Sequence, residues 1–504
     1  MYMTSIRLSD GIVKDEILVV GLAVKAPKAA KSASSLQIES GDIALDTKAL
    51  LQTLADLGAT GKADEVVKVP GTATRLIVFT GLGKQSATYD NEVLRRAAGA
   101  ASRALSGNTS ATFSLPAKNE NAVQAIAEGA GLGNYLFDQF RGSTKSAQKA
   151  PLKTITVHTS LAAKSSAKDA AKVAEVISTY TYLVRDLINT PPSHLTPESF
   201  CTAISAAVKK AGGAAAGLKV TVMTDSQLRS KGYGGIIGVG QGSVNPPRLL
   251  NISYTPKGAK AKKKYAYIGK GITFDTGGLA LKPALGMEAM KSDMSGAAAV
   301  CAATIAIALL KAPVAIDTWA PLAENMVSDT ATRPSDVITI YGGKTVEVLN
   351  PDAEGRLVLA DALVKAQESK DLDGIVDVAT LTGAQVVALG TRTSAVMTNN
   401  SEFSAAFIEL TKKTGEAFWP MPLPVELRAS LDSPVADLAN IGERMGGMLV
   451  AGLFLKEFVA DELPWLHLDI AGPAYNEGAP HGYTPVGGTG IALRSLVQLA
   501  LEER

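Results

Sequence analysis

Residues 350–356 read Asn350-Pro351-Asp352-Ala353-Glu354-Gly355-Arg356 and separate an extended run, 345–349, from an apolar-periodic run that begins at Leu357. This spacing predicts a strand, a charged turn and a helix. In such a turn Asp352 and Glu354 can face one point, Gly355 permits close approach of backbone or ligand, and Arg356 enters the first helical turn. A metal ion would suit that point. The alternative is an i,i+4 ion pair between Asp352 and Arg356, with acids that simply favour a helix N-terminus.

The length and composition of the chain indicate a two-domain globular protein. Its 504 residues are too many for one ordinary core, and 46% hydrophobic with 19% charged residues is typical of a soluble protein. The first long apolar run, 17–24, is too short to span a bilayer and follows Asp15 and Glu16 rather than a basic signal-peptide start. We therefore expect a cytoplasmic protein that does not associate with membranes.

The net charge and the small numbers of histidine and cysteine limit which partners and which metal sites the chain can have. A net charge of +2 implies no general attraction to nucleic acid, and the lysine cluster within 257–264 is typical of a solvated loop. Cys201 and Cys301 can form at most one disulfide and are expected to be buried free thiols. With four histidines and two cysteines, any metal site must rely on carboxylates, which favours harder ions or a mixed-ligand zinc site.

Residues 1–160 alternate short β-rich runs with helical ones, which predicts a smaller N-terminal α/β domain. The predicted strands are 17–20, 76–79 and 154–159, and the predicted helices are 44–57, 91–105 and 119–141. Gly81-Leu82-Gly83-Lys84 follows a strand and raises the alternative of a phosphate site. The segment lacks the further glycine and the spacing of a nucleotide-binding fingerprint, which argues against a phosphate site.

Residues 161–189 are predicted to be a linker and a connecting helix, because 160–168 is rich in Ala, Ser and Lys and 170–188 is amphipathic. Residues 190–504 form the larger C-terminal domain. Its predicted strands are 220–224, 249–254, 265–269, 314–319, 374–380 and 466–470, with a helix at 296–310. Strands this apolar are buried on both faces. We expect an α/β fold in two domains, the larger with a central mixed sheet flanked by helices.

A second group of polar residues follows the predicted strand 265–269, at the strand end where ligands of open α/β sheets collect. The group consists of Lys270, Asp275, Lys282 and Asp293. Taken singly, each has an ordinary role: Asp293 as a helix N-cap, Asp275 in a turn, and both lysines on the surface. Together with the 350–356 turn they supply four carboxylates, two lysines and an arginine on strand-end and helix-start loops.

This arrangement resembles the leucyl aminopeptidase family of dinuclear-metal exopeptidases. The resemblance is highly specific over residues 170–504 and only general over the first 160. The matching stretches are 269–278, Lys282, Asp293, 350–357, 377–384, 468–473 and 488–490. One departure is Pro351, where the family usually has threonine. Proline removes a backbone donor and fixes φ, so any cost is expected in the metal affinity at Asp352.

The resemblance implies a catalytic C-terminal domain that releases N-terminal residues from peptides, preferring leucine and other apolar ones, by attack of a metal-bridging water. One divalent ion would be bound by Lys270, Asp275, Asp293 and Glu354, and a second by Asp275, Asp352 and Glu354. Mn²⁺ or Zn²⁺ is expected, with Co²⁺ and Mg²⁺ left open. Lys282 would polarise the scissile carbonyl, and Arg356 would hold a bicarbonate that acts as general base. The substrate site would comprise Lys282, Met290, Asp293, Thr380, Leu381 and Gly383, although ordinary core packing remains open for Met290.

The same resemblance implies a cytoplasmic homohexamer with its N-terminal domains on the outside. Two other classes of protein stay open, a DNA-binding accessory protein and a structural assembly on the same scaffold. The near-neutral charge and the lack of an aromatic-basic pattern argue against the first. The intact set of polar residues argues against the second.

Overall fold

The computed structural model describes residues 4–11, 17–26, 35–41, 43–72, 74–258 and 260–503. Asp15 and Glu16, the acids that precede the first apolar run, lie outside these residues. The chain forms two compact units. Unit 1 comprises Met1–Tyr182 and Glu477–Val486, and unit 2 comprises Leu183–Asn476 and Gly487–Arg504. Both units mix strands and helices, which confirms the predicted α/β class.

Unit 1 is built on a mixed sheet. Its strands are β1 Ser5–Ser9, β2 Ile17–Lys25, β3 Ser35–Glu39, β4 Val66–Pro70, β5 Leu76–Lys84, β6 Ser110–Ser114 and β7 Thr154–His158. The strand order is β1-β7-β6-β2-β5-β4, with β3 also paired to β2, and only β3 and β4 run antiparallel to their neighbours. Gly81 to Lys84 continue β5, so they form no phosphate-binding turn.

Helices cover both faces of this sheet. They are α1 Thr47–Asp56, α2 Asn91–Ala104 and α3 Glu120–Gly133. Alternate residues of β2 enter two separate cores, Ile17 and Val19 with α2 and α3, and Leu18 and Val20 with α1. The third helix ends eight residues before the predicted position 141. The Asn134 side chain there binds the backbone N–H and carbonyl of Leu152, each at 2.8 Å, and draws the chain off the helix axis.

The segment Glu477–Val486 completes unit 1 although it lies far along the chain. Tyr483 packs against Gly99 of α2, where a Cβ atom would approach the Tyr483 Cα to 2.6 Å. Its hydroxyl donates to Glu92 Oε1 at 2.9 Å. Gly482 is held through its N–H by Asp64 at 3.0 Å and through its carbonyl by Arg103 Nε at 2.8 Å. The first unit is therefore discontinuous in sequence.

Helix α4, Ser165–Asn189, spans the predicted linker and connecting helix. It begins five residues before the predicted position 170, because the Ala and Lys residues that suggested a linker are also strong helix formers. It ends just before Pro191 and Pro192, as predicted, since a residue preceding proline disfavours helical geometry.

Unit 2 contains the remaining elements. Its strands are β8 Leu218–Met223, β9 Arg248–Tyr254, β10 Lys263–Gly269, β11 Gly271–Asp275, β12 Val314–Asn325, β13 Asp336–Thr339, β14 Thr345–Val348, β15 Gly374–Ala379, β16 Ser394–Thr398, β17 Phe418–Pro420, β18 Leu438–Ala439, β19 Trp465–Asp469, β20 Tyr475–Asn476 and β21 Gly487–Gly488. Its helices are α5 Pro197–Lys210, α6 Asp225–Lys231, α7 Gly234–Gly240, α8 Ser295–Leu309, α9 Gly355–Ala366, α10 Gly383–Leu389, α11 Ser401–Thr414, α12 Gly447–Lys456 and α13 Leu493–Leu501.

The central sheet of unit 2 has the order β17-β16-β19-β15-β10-β12-β9-β8, with β11 also paired to β12. Its middle strands β19, β15, β10 and β12 are parallel, whereas β16, β9 and β8 run antiparallel to a neighbour. The predicted mixed sheet flanked by helices is confirmed. The parallel middle places four strand C-termini at one edge, which is where the site is built.

Helix α8 is buried from Ser295 to Ala308. The stretch Met287–Leu309 is long and apolar enough to span a membrane, but 94% of its apolar window is buried inside the protein, as in the core helix of a soluble protein. Cys301 lies on this helix and Cys201 on α5. Both are buried and outside any disulfide, which confirms the predicted free thiols. Burial raises the pKa of the Cys201 thiol to about 12, so it is inert at neutral pH.

The basic cluster expected to form a solvated loop lies partly in a strand, because Lys263 and Lys264 begin β10. Lys263 Nζ lies 2.8 Å from Asp373 Oδ1, and Lys264 Nζ donates to the Lys370 carbonyl at 2.8 Å. These two lysines of the cluster therefore have partners within the chain.

Candidate metal centre

The predicted site residues come together at the C-terminal edge of the central sheet. Lys270 directly follows β10, Asp275 ends β11 and Thr380 directly follows β15. Because β15, β10 and β12 are parallel and β11 pairs with β12 in the same direction, these ends lie side by side. Asp293 joins them from the turn that precedes α8.

Asp352 and Glu354 reach this edge through the turn between β14 and α9. The strand ends at Val348 and the helix begins at Gly355, which confirms the predicted strand, charged turn and helix. Arg356 lies in the first helical turn. The ion pairs of the described residues include none between Asp352 and Arg356, so the surface-pair alternative is wrong.

The most buried part of the site is a group of three carboxylates around one amine. Asp275, Asp293 and Glu354 each offer one oxygen, and the three oxygens lie within 4.8 Å of one another. Lys270 Nζ lies 2.8 Å from Asp293 Oδ2 and 2.9 Å from Glu354 Oε1, and it donates to the Thr380 carbonyl at 2.9 Å. Asp293 does not cap α8, whose N-cap residue is Met294, so the N-cap alternative is wrong.

A second, more open group adjoins the first. Lys282 Nζ lies 2.8 Å from Asp275 Oδ2 and also contacts Asp352 Oδ1. The side chains of Lys282 and Asp352 are 21% and 30% exposed, whereas that of Asp275 is 3% exposed. Asp275 thus belongs to both groups of side chains. The group that contains Asp352 is the one that is open to solvent. Neither lysine is the ordinary surface residue that each would be if considered alone.

Burial and charge compete in these side chains. Burial raises the pKa of Asp293, Glu354 and Asp352 above the usual carboxyl values, against the lowering effect of the lysines. In Lys270 and Lys282 burial favours the neutral amine, but the surrounding carboxylates outweigh it and the pKa of each is raised. The site therefore contains two positive ammonium groups and four carboxylates. Full ionisation of the site requires more positive charge than the chain supplies.

The chemistry of the donor set fits divalent cations. Asp293 Oδ2, Glu354 Oε1 and Asp352 Oδ1 are buried and accept no hydrogen bond from the described residues. Each lies within ion-pair distance of a lysine Nζ, but the two ammonium groups balance only half of the four negative charges. Buried carboxylate oxygens without donors are costly unless a cation binds them. Oxygen-rich sites of this kind suit hard or borderline divalent metals.

Arg356 is buried beside the carboxylates. Its Nη1 donates to the Asn440 carbonyl at 2.7 Å, and its guanidinium carbon lies 5.8 Å from the ring centre of Phe454. The Nε atom is buried without a hydrogen-bond partner. Burial lowers the pKa of Arg356 to about 10, so the side chain remains a cation at neutral pH. An unpaired N–H on a buried cation favours an anion at this position.

Two of the predicted substrate residues, Thr380 and Met290, contact Asp293 directly. Thr380 Oγ1 donates to Asp293 Oδ1 at 2.7 Å, and the Met290 carbonyl accepts from the Asp293 N–H at 3.2 Å. The Leu381 N–H donates to the buried Asp469 at 3.1 Å. Gly383 begins α10 and has open space where a side chain would lie. Met290 is half-buried, so its side chain is not fully packed in the core.

Asn325, at the end of β12, joins the two ligand loops. Its Nδ2 donates to Asp275 Oδ1 at 2.8 Å and to the Pro351 carbonyl at 3.1 Å. Gly278, with φ of +60°, passes so close that a Cβ atom would lie 2.9 Å from Asn325 Oδ1. Asp275 also accepts from the Gly277 N–H at 2.9 Å, so its predicted turn chemistry coexists with its place in the cluster. Sequence reasoning missed Asn325 because the predicted strand ended at 319.

A buried polar pair lies deeper in the same sheet. His467 Nδ1 and Asp377 Oδ1 are 2.5 Å apart on neighbouring strands, and Trp465 Nε1 donates to Asp377 Oδ2 at 2.7 Å. Burial acts to lower the pKa of His467, but the charge of Asp377 prevails and raises it. Asp377 lay within the motif 377–384, yet nothing in the sequence pairs it with His467.

Comparisons with known proteins agree on one family. The family model described as cytosol aminopeptidase family, catalytic domain, matches residues 182–497, and the model of that family's N-terminal domain matches residues 19–145. A probable cytosol aminopeptidase from Streptomyces avermitilis is 50% identical over 99% of this chain and 98% of that relative.

Two solved structures are similar over nearly the whole chain. The bottromycin maturation enzyme BotP in complex with Mn has a TM-score of 0.84 and 34% identity, covering 97% of this chain and 99% of that one. A tomato leucine aminopeptidase mutant has a TM-score of 0.82 and 28% identity, covering 99% of this chain and 97% of that one.

Proposed function

Because the chain belongs to the cytosol aminopeptidase family, and is thus a metal-dependent aminopeptidase, we propose that it releases unblocked N-terminal residues from peptides, with a preference for leucine and other apolar ones. The observation that carries this proposal is the convergence of four carboxylates on only two ammonium groups, those of Lys270 and Lys282. Such a set is suited to cations that also act on a peptide carbonyl.

We assign two metal positions. Lys270, Asp275, Asp293 and Glu354 would hold one divalent ion, and Asp275, Asp352 and Glu354 would hold the other. The place of Asp275 in both side-chain groups supports its role as a shared ligand. Divalent ions bound there would supply Lewis-acid polarisation of the scissile carbonyl and lower the pKa of a water molecule that attacks it.

Lys270 must lose a proton to act as a ligand. The neighbouring carboxylates favour its ammonium form, so Lys270 would have to give up that proton before it could act as a metal ligand. The Mn in the related BotP structure supports Mn²⁺, and the mixture of carboxylates with one amine also suits Zn²⁺.

The remaining polar residues position the reactants. Lys282, half-buried beside Asp275, would direct its ammonium group to the scissile carbonyl oxygen. Arg356 would hold a bicarbonate through its unpaired Nε, and that anion would serve as the general base. This arrangement gives a role to an arginine that cannot itself release a proton at neutral pH.

The leucine preference rests on the residues around Asp293. Met290, Thr380, Leu381 and Gly383 would line the pocket for the first side chain, while Asp293 itself would contact the free α-amine. The open space beside Gly383 is compatible with an apolar side chain there. In the cell we expect a cytoplasmic homohexamer acting on peptide substrates, as implied by the family.

The test compares hydrolysis of a leucyl anilide with that of its N-acetylated form. The protein is first freed of metal by chelation, and Mn²⁺ or Zn²⁺ is then added back. We expect activity only with the metal and only on the free amine. Equal hydrolysis of the acetylated substrate, or full activity in excess chelator, would contradict the proposal.

A pair of variants locates the activity. Asp352→Asn should reduce kcat/KM by about 100-fold or more, because it removes a charged ligand. Asp336→Asn, which alters an acid paired with Arg333 on the surface, should leave it unchanged. A series of alanyl, leucyl, lysyl and glutamyl anilides then measures the preference, and the leucyl substrate should be cleaved fastest.

A further inference from the structure

Asn440 occupies a specific place beside the turn that carries Asp352. It directly follows β18, a two-residue strand that pairs in parallel with β14 through Val346 with Leu438 and Glu347 with Ala439. The Asn440 N–H extends this ladder by donating to the Glu347 carbonyl at 2.9 Å. Asn440 thus lies where β14 has ended and the turn begins.

Beyond the end of the backbone pairing between β14 and β18, the Asn440 side chain makes the hydrogen bonds to the backbone of the turn. Its Oδ1 accepts from the N–H groups of Leu349 and Asn350 at 2.8 and 3.2 Å. Its Nδ2 donates to the carbonyls of Asn350 and Ala353 at 2.7 and 3.4 Å. The carboxamide acts as one more peptide group of β18, and it is fully buried.

The Asn440 backbone reaches the other side of the site. Its carbonyl accepts from Arg356 Nη1 at 2.7 Å, which fixes one end of that guanidinium. One residue therefore holds the base of the Asp352 turn with its side chain and fixes Arg356 with its main chain. The tip of the turn is held separately, by Asn350 Oδ1 on the Asp352 N–H at 2.9 Å and by Asn325 on Pro351.

Only an amide satisfies this position. Two backbone N–H groups need an acceptor, and two carbonyls need a donor. A carboxylate would direct negative charge at the carbonyls of Asn350 and Ala353. An alanine would remove the side-chain partner of all four backbone groups, and of these the Asn350 carbonyl would keep the Ala353 N–H at 3.0 Å.

We propose that Asn440 is a positioning residue that places the Asp352 carboxylate at the second metal position and orients Arg356 beside it. This inference rests on the proposed two-metal function. Glu354 stands at the N-cap of α9 and Lys270 at the end of β10, so the first position depends on Asn440 much less.

The test is a Mn²⁺ titration of the full chain, comparing wild type with Asn440→Ala and Asn440→Asp. We expect wild type to bind two ions. The alanine variant should keep the first ion and bind the second at least tenfold more weakly, and the aspartate variant should fall between, since it retains only the acceptor contacts. In activity assays kcat should fall while KM changes by less than threefold.

Asn399 offers a matched control. Its Nδ2 donates to the carbonyls of Leu463 and Asp461 at 2.9 and 3.4 Å, and its Oδ1 accepts from the Trp465 N–H at 2.9 Å. These hydrogen bonds lie at the N-terminal end of β19, away from the metal centre. Asn399→Ala should therefore lower stability but leave both Mn²⁺ affinities unchanged.

Hydrogen exchange provides a readout without metal. The amides of Leu349 and Asn350 should exchange at least tenfold faster in Asn440→Ala than in wild type, and at the wild-type rate in Asn399→Ala. Wild-type affinity for both ions in Asn440→Ala would overturn the role of Asn440, as would equal weakening in the control. A wild type that binds fewer than two ions would instead contradict the two-metal function itself.

Discussion

Arg356 shows at the scale of one residue how a cation can be kept available for an anion. Its Nη1 donates to a backbone carbonyl, its guanidinium carbon lies 5.8 Å from the ring centre of Phe454, and its Nε has no acceptor among the described residues. A guanidinium held in this way keeps its remaining N–H groups, among them the buried Nε–H, in fixed directions for binding. Lysine, with a single rotating ammonium, offers no equivalent geometry.

Arg356→Ala should lower kcat by about 10²- to 10⁴-fold, the range of general-base catalysis, with a smaller change in KM. In buffer depleted of carbon dioxide the wild type should slow and recover on addition of bicarbonate, whereas the variant should not respond. Mn²⁺ uptake by the variant serves as the control and should remain intact. Bicarbonate stimulation of the variant equal to that of wild type would contradict this role.

Asp361 gives a residue-scale prediction about pH. It is fully buried on α9 and accepts from the N–H groups of Ile236 and Tyr341 at 2.7 Å each. Burial raises its pKa from 3.8 to about 7. The folded state therefore holds this proton more tightly than the unfolded chain does. The resulting stability is fully present below about pH 4 and is lost as the pH rises through about 7.

The check is urea unfolding of wild type and Asp361→Asn at pH 4.5, 6 and 8. The variant lacks the titrating group, so the wild type should lose unfolding free energy relative to it as the pH rises. The titrations of His467 and of the metal-centre acids are common to both proteins and cancel in the difference. A difference that is constant with pH would contradict the prediction.

Charged residues of the site were easier to predict from sequence than its asparagines. Two acids beside a glycine after a strand indicate a functional site, because charged groups placed together at a strand end are characteristic of such sites. Asn325 and Asn440 act through backbone hydrogen bonds, and an asparagine near a strand end looks the same in sequence as one in an ordinary turn. Their roles depend on which distant loop they face, which no local pattern contains.

At the scale of elements, two helices have a glycine in their first turn that lies against a neighbouring element. A Cβ on Gly355, at the start of α9, would lie 2.5 Å from Lys270 Cε and 2.7 Å from its Nζ. A Cβ on Gly296, near the start of α8, would lie 2.0 Å from the Val378 carbonyl oxygen in β15. The first neighbour is the end of a flexible side chain, whereas the second is rigid backbone.

Gly355→Ala should therefore displace Lys270 and lower Mn²⁺ affinity at least tenfold, with a smaller loss of unfolding free energy than Gly296→Ala causes. Gly296→Ala should instead destabilise the fold by about 3 kcal/mol or prevent folding, as overpacking against backbone does. Denaturant unfolding and Mn²⁺ titration measure both effects. The reverse ranking of the two stabilities would show that Lys270 cannot move.

Strand β12 illustrates why element boundaries are hard to predict. The apolar run predicted a strand end at 319, two residues before Pro321, which lacks the N–H that a strand normally uses. In the structure β12 continues to Asn325, with Pro321 opposite Leu249 of β9 and Leu322 opposite Gly271 of β11. Pairing on both sides outweighs the local cost, and this extension brings Asn325 to the site.

At the scale of the whole molecule, metal binding should be linked to stability. All proposed ligands belong to unit 2, and an ion that binds only the folded state adds about 2.7 kcal/mol at a concentration 100 times its Kd. Chelation should lower the thermal unfolding midpoint, and Mn²⁺ should raise it in proportion to the logarithm of its concentration. Asp293→Asn should respond less than wild type. A midpoint independent of Mn²⁺ in wild type would contradict binding at this site.

The two-unit α/β architecture was predictable from sequence, whereas the membership of Glu477–Val486 in unit 1 was not. That segment contains Gly, Pro and His in a pattern typical of a surface loop. Its contacts with Glu92, Gly99 and Arg103 depend on residues almost 400 positions earlier.

This discontinuity has a consequence for how the protein is made. A ribosome adds about 5 to 20 residues per second, so about 300 residues and roughly 15 to 60 s separate the synthesis of Tyr182 from that of Glu477. Throughout that interval the nascent first unit exposes the surface around Gly99 that Tyr483 later covers. Unit 1 can therefore be completed only after almost all of unit 2 has been translated. A chain truncated before Glu477 would lack the segment that completes unit 1.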